Sequence, residues 1–174
     1  KKVTREQISE HTNALAYAAL PYGGAIALGR NYEKINLADN GTEEHSFTRL
    51  GIHIVAADKD GNILWVRNLR RNDFQKRDNE LLHIGMVAMG DDLCVVKSEH
   101  RKFPIIYDIA KEAKRLTMGD KSNLVLYTIS ADGEVKKDIL EAKSKHTFLH
   151  FTPEYDIITM RGNKLRDIKL SKNQ

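Results

Sequence analysis

Cysteine is almost missing from this chain, and so are long apolar runs and clean helical periodicity. The one cysteine, Cys94, excludes an internal disulfide. It lies in Leu93-Cys94-Val95-Val96, where a thiol reads as a small buried hydrophobe. No Cys/His signature accompanies it to suggest a nucleophile. No stretch approaches the ~20 apolar residues of a membrane-spanning helix. The sequence begins Lys1-Lys2, without Met, and reads as a processed protein or a fragment. Only two places suggest a helix. Thr4 to Gln7 has capping-box spacing. Ala110 to Leu116 could form a turn or two, on a stripe limited to Ile109, Ala113 and Leu116.

The familiar chemical motifs are also missing. Asp58-Lys59-Asp60-Gly61-Asn62 begins like a calcium loop. An EF-hand would then need Gly and Glu where Ile63 and Leu69 stand, so it reads as a hairpin turn. Gly24 to Gly29 begins like a phosphate loop but continues Arg30-Asn31, without the Lys and hydroxyl residue that hold phosphate and magnesium. A Gly-x-Ser-x-Gly elbow is absent. Asn40-Gly41-Thr42 fits a glycosylation acceptor but reads as a turn. Among seven histidines only His146 and His150 recur closely. On a regular strand they would share a face with Phe148 between them, roughly 13 Å apart, too far for one metal. No catalytic, cofactor or metal residue is assigned, and no cofactor is expected.

What remains is an ordinary globular composition: 174 residues, 41% apolar and 30% charged, which suits one domain with its own core. The net charge of +4 is mildly basic. Basic residues gather at Arg67 to Arg71 and Gln75 to Arg77, but Asp73, Asp78 and Glu80 interrupt them. The cluster reads as a solvated loop, and nucleic acid is not expected as a partner.

The informative feature is a repeated hairpin. Ile52 to Arg67 and Leu124 to Ile139 each read as a strand, an Asp-Gly turn and a returning strand. Their turn glycines, Gly61 and Gly133, lie 72 positions apart. Alternation puts Leu50, Ile52, Ile54 and Ala56 on one face. Further hairpins centre on Gly23-Gly24, Gly90-Asp91-Asp92, Pro153-Glu154 and Gly162-Asn163. Polar connections are expected from Asn36 to Ser46 and from Arg70 to Glu80. About eleven strands and almost no helix result, organised as units at residues 12–70 and 82–141 and a partial unit at 145–174.

Four-strand antiparallel units in series resemble β-propeller blades. Ala56 to Trp65, with its Gly-x-x-x-Trp step from Gly61 to Trp65, resembles the blades of the quinoprotein-type propeller family. That resemblance implies that Trp65 packs between neighbouring blades, with Gly61 and Gly133 as the structural turn residues. The second copy departs from it, with Lys137 at the position spaced 72 from Trp65. No WD dipeptide or Gly-His signature is present, and no quinoprotein cofactor residue can be matched. Two and a half blades do not close a ring. The expected fold is therefore all-β, antiparallel and propeller-like with an incomplete ring. A single antiparallel β-barrel or sandwich is the alternative, because units of this spacing are long for a blade.

The expected function is a non-catalytic binding or scaffolding module for a protein or carbohydrate ligand. Its surface would come from rim loops, the segment from Glu99 to Asn123 above all. The alternatives are a small-ligand β-barrel and a propeller-class glycosidase or lyase. No membrane span is expected. Homo-oligomerisation or a missing N-terminal part of the same chain would supply the absent units. Export, to a bacterial periplasm or cell surface, is favoured over the cytoplasm.

Overall fold

The computed structural model describes residues 3–76, 83–100, 116–117, 122–144, 146–152, 154–161 and 164–170. The described chain is all-β, and no helix occurs among the described residues. The first sheet is a meander of four long antiparallel strands: β1 (Val3–Leu20), β2 (Gly23–Ala38), β3 (Glu43–Asp58) and β4 (Ile63–Lys76). The second runs through β5 (Ile84–Met89), β6 (Asp92–His100), β8 (Ser122–Ile129) and β9 (Val135–Glu141). The short β7 (Leu116–Thr117), which precedes β8, leaves that sheet and pairs parallel with Asp73 and Phe74 of β4. A third sheet of three strands comprises β10 (Thr147–Phe151), β11 (Ile157–Arg161) and β12 (Lys164–Ile168).

The three sheets stack. Alternation along each strand gives every sheet two faces. Ile52, Ile54 and Ala56 of β3 are fully buried and share a core with Ile84, Leu93, Val95 and Ile129 of the second sheet. The opposite face of the second sheet, with Val96 and Leu124, packs on Phe148 and Ile157 of the third. The second sheet is thus covered on both sides. Its strands read Leu93-Cys94-Val95-Val96 and Leu124-Val125-Leu126-Tyr127, the continuous apolar pattern of strands buried on both faces.

Several expectations change. Thr4 to Gln7 is not helical: it lies in β1, which pairs with β2 from Val3 opposite Ala38 to Leu20 opposite Gly23. Local capping spacing is weaker than a ladder of backbone hydrogen bonds along a whole strand. The connection expected from Asn36 to Ser46 shrinks to residues 39–42, where Gly41 takes a φ of 76°. β4 likewise runs through Arg70 to Lys76. These extensions are polar, so hydrophobic alternation could not reveal them. The expected helical turn at residues 110–116 lies outside the described residues except Leu116, which is in β7. The sheets are open, and no closed barrel forms among the described residues.

Strand lengths also differ sharply. At ~3.3 Å per residue, the 18 residues of β1 extend about 60 Å and the 8 of β8 about 26 Å. The first sheet therefore overhangs the second.

Candidate functional site

The first feature is the seam between the first two sheets. The β8–β9 turn closes with Ser130 N–H donating to Glu134 O at 2.9 Å and Gly133 N–H donating to Ser130 O at 2.8 Å. Gly133 has a φ of 86°, which a residue with a Cβ rarely adopts. The turn reaches across to β4. Trp65 Nε1–H donates to Ala131 O at 3.1 Å, and Arg67 Nε–H donates to Gly133 O. The Arg67 guanidinium lies 5.8 Å from the centre of the Trp65 ring, within cation–π range. Trp65 is 6% exposed, in the core shared by the two sheets. A Cβ on Gly133 would come within 2.9 Å of Trp65 Cγ, so the turn glycine also admits the indole.

The β3–β4 turn is built alike. Asp58 N–H donates to Asn62 O at 2.9 Å, Gly61 N–H donates to Asp58 O at 3.1 Å, and Gly61 also has a φ of 86°. Asp58 Oδ1 accepts from the N–H groups of Asp60 and Asn62, and Oδ2 from Asn62 Nδ2. Both oxygens serve the turn itself. These bonds, led by the Asn62 side chain, hold the Asp58 carboxyl below its ordinary range.

Register revises the comparison of Trp65 with Lys137. Leu64 is an extra residue at a bulge, so Trp65 pairs with Ala56. Thr128, 72 positions after Ala56, pairs with Lys136. Lys136 is therefore the structural counterpart of Trp65. Lys137 pairs with Tyr127 and lies on the other face, toward the first sheet.

There Lys137 meets the second feature, a buried ionic cluster that motif reading missed. Glu99 is 1% exposed. Its Oε1 accepts from the Tyr127 hydroxyl, and its Oε2 pairs with Lys137 Nζ. Lys137 Nζ also lies 5.6 Å from the centre of the Tyr127 ring. Lys97, two residues before Glu99 on the same face of β6, is 2% exposed. A buried carboxylate requires such pairing. The only available signal was Lys97 and Glu99 continuing the alternation of Leu93 and Val95 past the apolar run.

The third feature is the polar overhang of the first sheet. Buried Arg49 donates from Nε to Asn31 Oδ1 at 2.8 Å. Nearby His45 pairs through Nδ1 with Glu33 at 2.9 Å and through Nε2 with Glu43 at 3.5 Å. The hydrogen bond to Glu33 is the largest effect raising the His45 pKa above its ordinary value. β7 pairs with β4 at this end of the sheet, at Asp73 and Phe74. Most of the segment from Glu99 to Asn123 lies outside the described residues.

The histidine pair does not share a face. A register irregularity follows Phe148, so Phe148 pairs with Thr159 whereas His150 pairs with Ile158. His146 Nδ1 instead meets Thr159 Oγ1 at 3.1 Å. No group of three His, Cys, Asp or Glu side chains that could hold a metal occurs among the described residues. Cys94 is 4% exposed, and burial pushes its thiol up to about 11. The described residues contain no helix long and apolar enough to cross a membrane. Compared with known proteins, the chain matches no family model and no curated protein.

Proposed function

We propose that this chain is a non-catalytic binding or scaffolding module on a propeller-like stack of β-sheets. The observation that carries the reading is the seam. Trp65 and Arg67 of one sheet hold the carbonyl oxygens of the next sheet's outer turn, and the same sheet-on-sheet relation continues to the third sheet. Such a stack is rigid where sheets overlap, and recognition falls to loops and overhangs. The overhanging end of the first sheet is the proposed ligand surface. Asn31, Glu33, His45 and Arg49 supply donors and acceptors there, and β7 pairs with β4 beside them. That chemistry suits a carbohydrate or a polar protein surface. The stack resembles propeller blades in strand rhythm.

A glycan array and a purified-protein array, both screened with the full chain, test the reading. Saturable binding to one ligand class is expected, lost in the Arg49→Ala and His45→Ala variants, with every bound ligand recovered unchanged. Cleavage of an arrayed glycan would transfer support to the glycosidase or lyase alternative.

A further inference from the structure

The first sheet has an apolar face that no other described sheet covers. Tyr17, Ile26, Val55 and Val66 stand directly opposite one another across β1 to β4, facing away from the second sheet. Tyr17 is 85% exposed and Val66 48%. Ile63, in the next row, is 67% exposed. The equivalent row of the second sheet is Met86, Val95, Tyr127 and Lys137, with Tyr127 lying 72 positions after Val55. The first sheet covers that row. Ala25 to Leu28 and Ile54 to Ala57 are also continuous apolar runs, the pattern of strands buried on both faces, yet among the described residues only one of their faces is covered.

The turns repeat the contrast. Ala131 and Gly133 offer their carbonyl oxygens to Trp65 and Arg67. Their counterparts 72 positions earlier are Lys59 and Gly61, in a turn of the same hydrogen bonding and the same φ of 86°. Around Gly133 a Cβ would strike Arg67 and Trp65, whereas around Gly61 it would meet nothing within 4 Å. Among the described residues no backbone N–H donates to the oxygens of Lys59 or Gly61.

We propose that this face docks an antiparallel β-sheet of a partner polypeptide, whose outer strand donates an indole N–H and a guanidinium to the Lys59 and Gly61 carbonyls. The seam already present continues onto this face: the same row, the same turn and the same oxygens, lacking only the covering sheet. A second copy of the chain does not supply the donor. Trp65 is its single tryptophan and is engaged at its own seam. The proposal rests on the scaffold reading above.

The test uses the intact chain, labelled with nitrogen-15, and a head-to-tail cyclised peptide of residues 50–69, which carries the Trp65 and Arg67 donors in free form. Saturable shift changes are expected at Lys59 to Asn62 and at Tyr17, Ile26 and Val66. Val66→Lys in the chain and Trp65→Ala in the peptide should each weaken binding at least about tenfold. Val66 is half in water, so that variant should keep the far-ultraviolet dichroism of the parent. Absence of shifts on this face, or undiminished binding by Val66→Lys, overturns the proposal. So does a concentration-dependent dimer abolished by Val66→Lys, which would make a second copy the occupant. If the peptide fails while array ligands still bind, the docking face falls alone. If the peptide binds and no array ligand does, the overhang as ligand surface falls alone.

Discussion

The ring of Phe148 occupies the space that a side chain at Gly85 would need. A Cβ on Gly85 would lie 2.0 Å from Phe148 Cζ, well inside contact distance. Gly85 is on β5 and Phe148 on β10, so this close approach seats the third sheet on the second.

Gly85→Ala should therefore destabilise the protein by about 1–3 kcal/mol, the usual cost of overpacking. Phe148→Leu in the same background should recover part of that loss, because it clears the space. Urea unfolding of the two single variants and the double variant gives the coupling directly. Additive effects would show that the two residues do not compete for one volume.

Trp65 combines bulk with a hydrogen bond, and two substitutions separate them. Trp65→Ala should cost about 3–5 kcal/mol. Trp65→Phe should cost about 1–3 kcal/mol, since it mainly leaves the Ala131 carbonyl without its donor. The single indole also reports on the seam. Its emission should be blue-shifted in the native protein and move to the red with the same midpoint as the loss of β structure.

Glu99 carries a charge with almost no access to water. Glu99→Gln removes the charge that faces Lys137 and should cost about 3 kcal/mol. That is the low end for a broken buried pair, because Lys137 keeps a third of its side chain exposed. Tyr127→Phe should cost about 1–3 kcal/mol. Equal stability of Glu99→Gln and the parent would contradict the pairing.

Cys94 should be inert while the chain is folded. With its thiol pushed up to about 11, mainly by burial and then by the nearby Asp92 charge, little thiolate exists at neutral pH. Labelling by a thiol-specific disulfide reagent at pH 8 should be slow in buffer and fast in denaturant. Fast labelling in buffer would place the thiol at the surface.

His45 should titrate above the ordinary histidine value of about 6.5. Protonated His45 is favoured by the Glu33 hydrogen bond and, less strongly, by Glu43. Its stabilising contribution is complete below the unfolded value and is lost as pH rises through the raised folded value. Glu33→Gln should bring the titration, followed by imidazole proton shifts, back toward 6.5. An unchanged midpoint would rule out Glu33 as the cause.

The turns were the legible part of this sequence. Gly61, Gly133 and Gly90 are punctuation that only particular backbones accept, and each sits at a hairpin with positive φ. Apolar strands such as Leu93 to Val96 were legible for the same local reason. Asn36, His45 and Arg70 were not, because a polar strand residue has no periodicity to distinguish it from a loop; only its partner across the ladder reveals it. The bulge at Leu64 was silent too, and it moved the counterpart of Trp65 from Lys137 to Lys136. Glu99 and Lys97 were hidden by type: charged residues default to the surface, and burial depends on a partner that pairing alone brings within reach.

Among the described residues, each sheet draws its antiparallel strands from one stretch of chain, and β7 alone strays. Hairpins between close sequence neighbours, such as β1–β2 and β8–β9, are therefore expected to form at low loop-closure entropy before the sheets meet. Docking across the Trp65 seam joins residues 66 positions apart and is expected on the late side of the folding barrier. Substitutions at that seam should accelerate unfolding far more than they slow folding, the kinetic signature of contacts absent from the transition state.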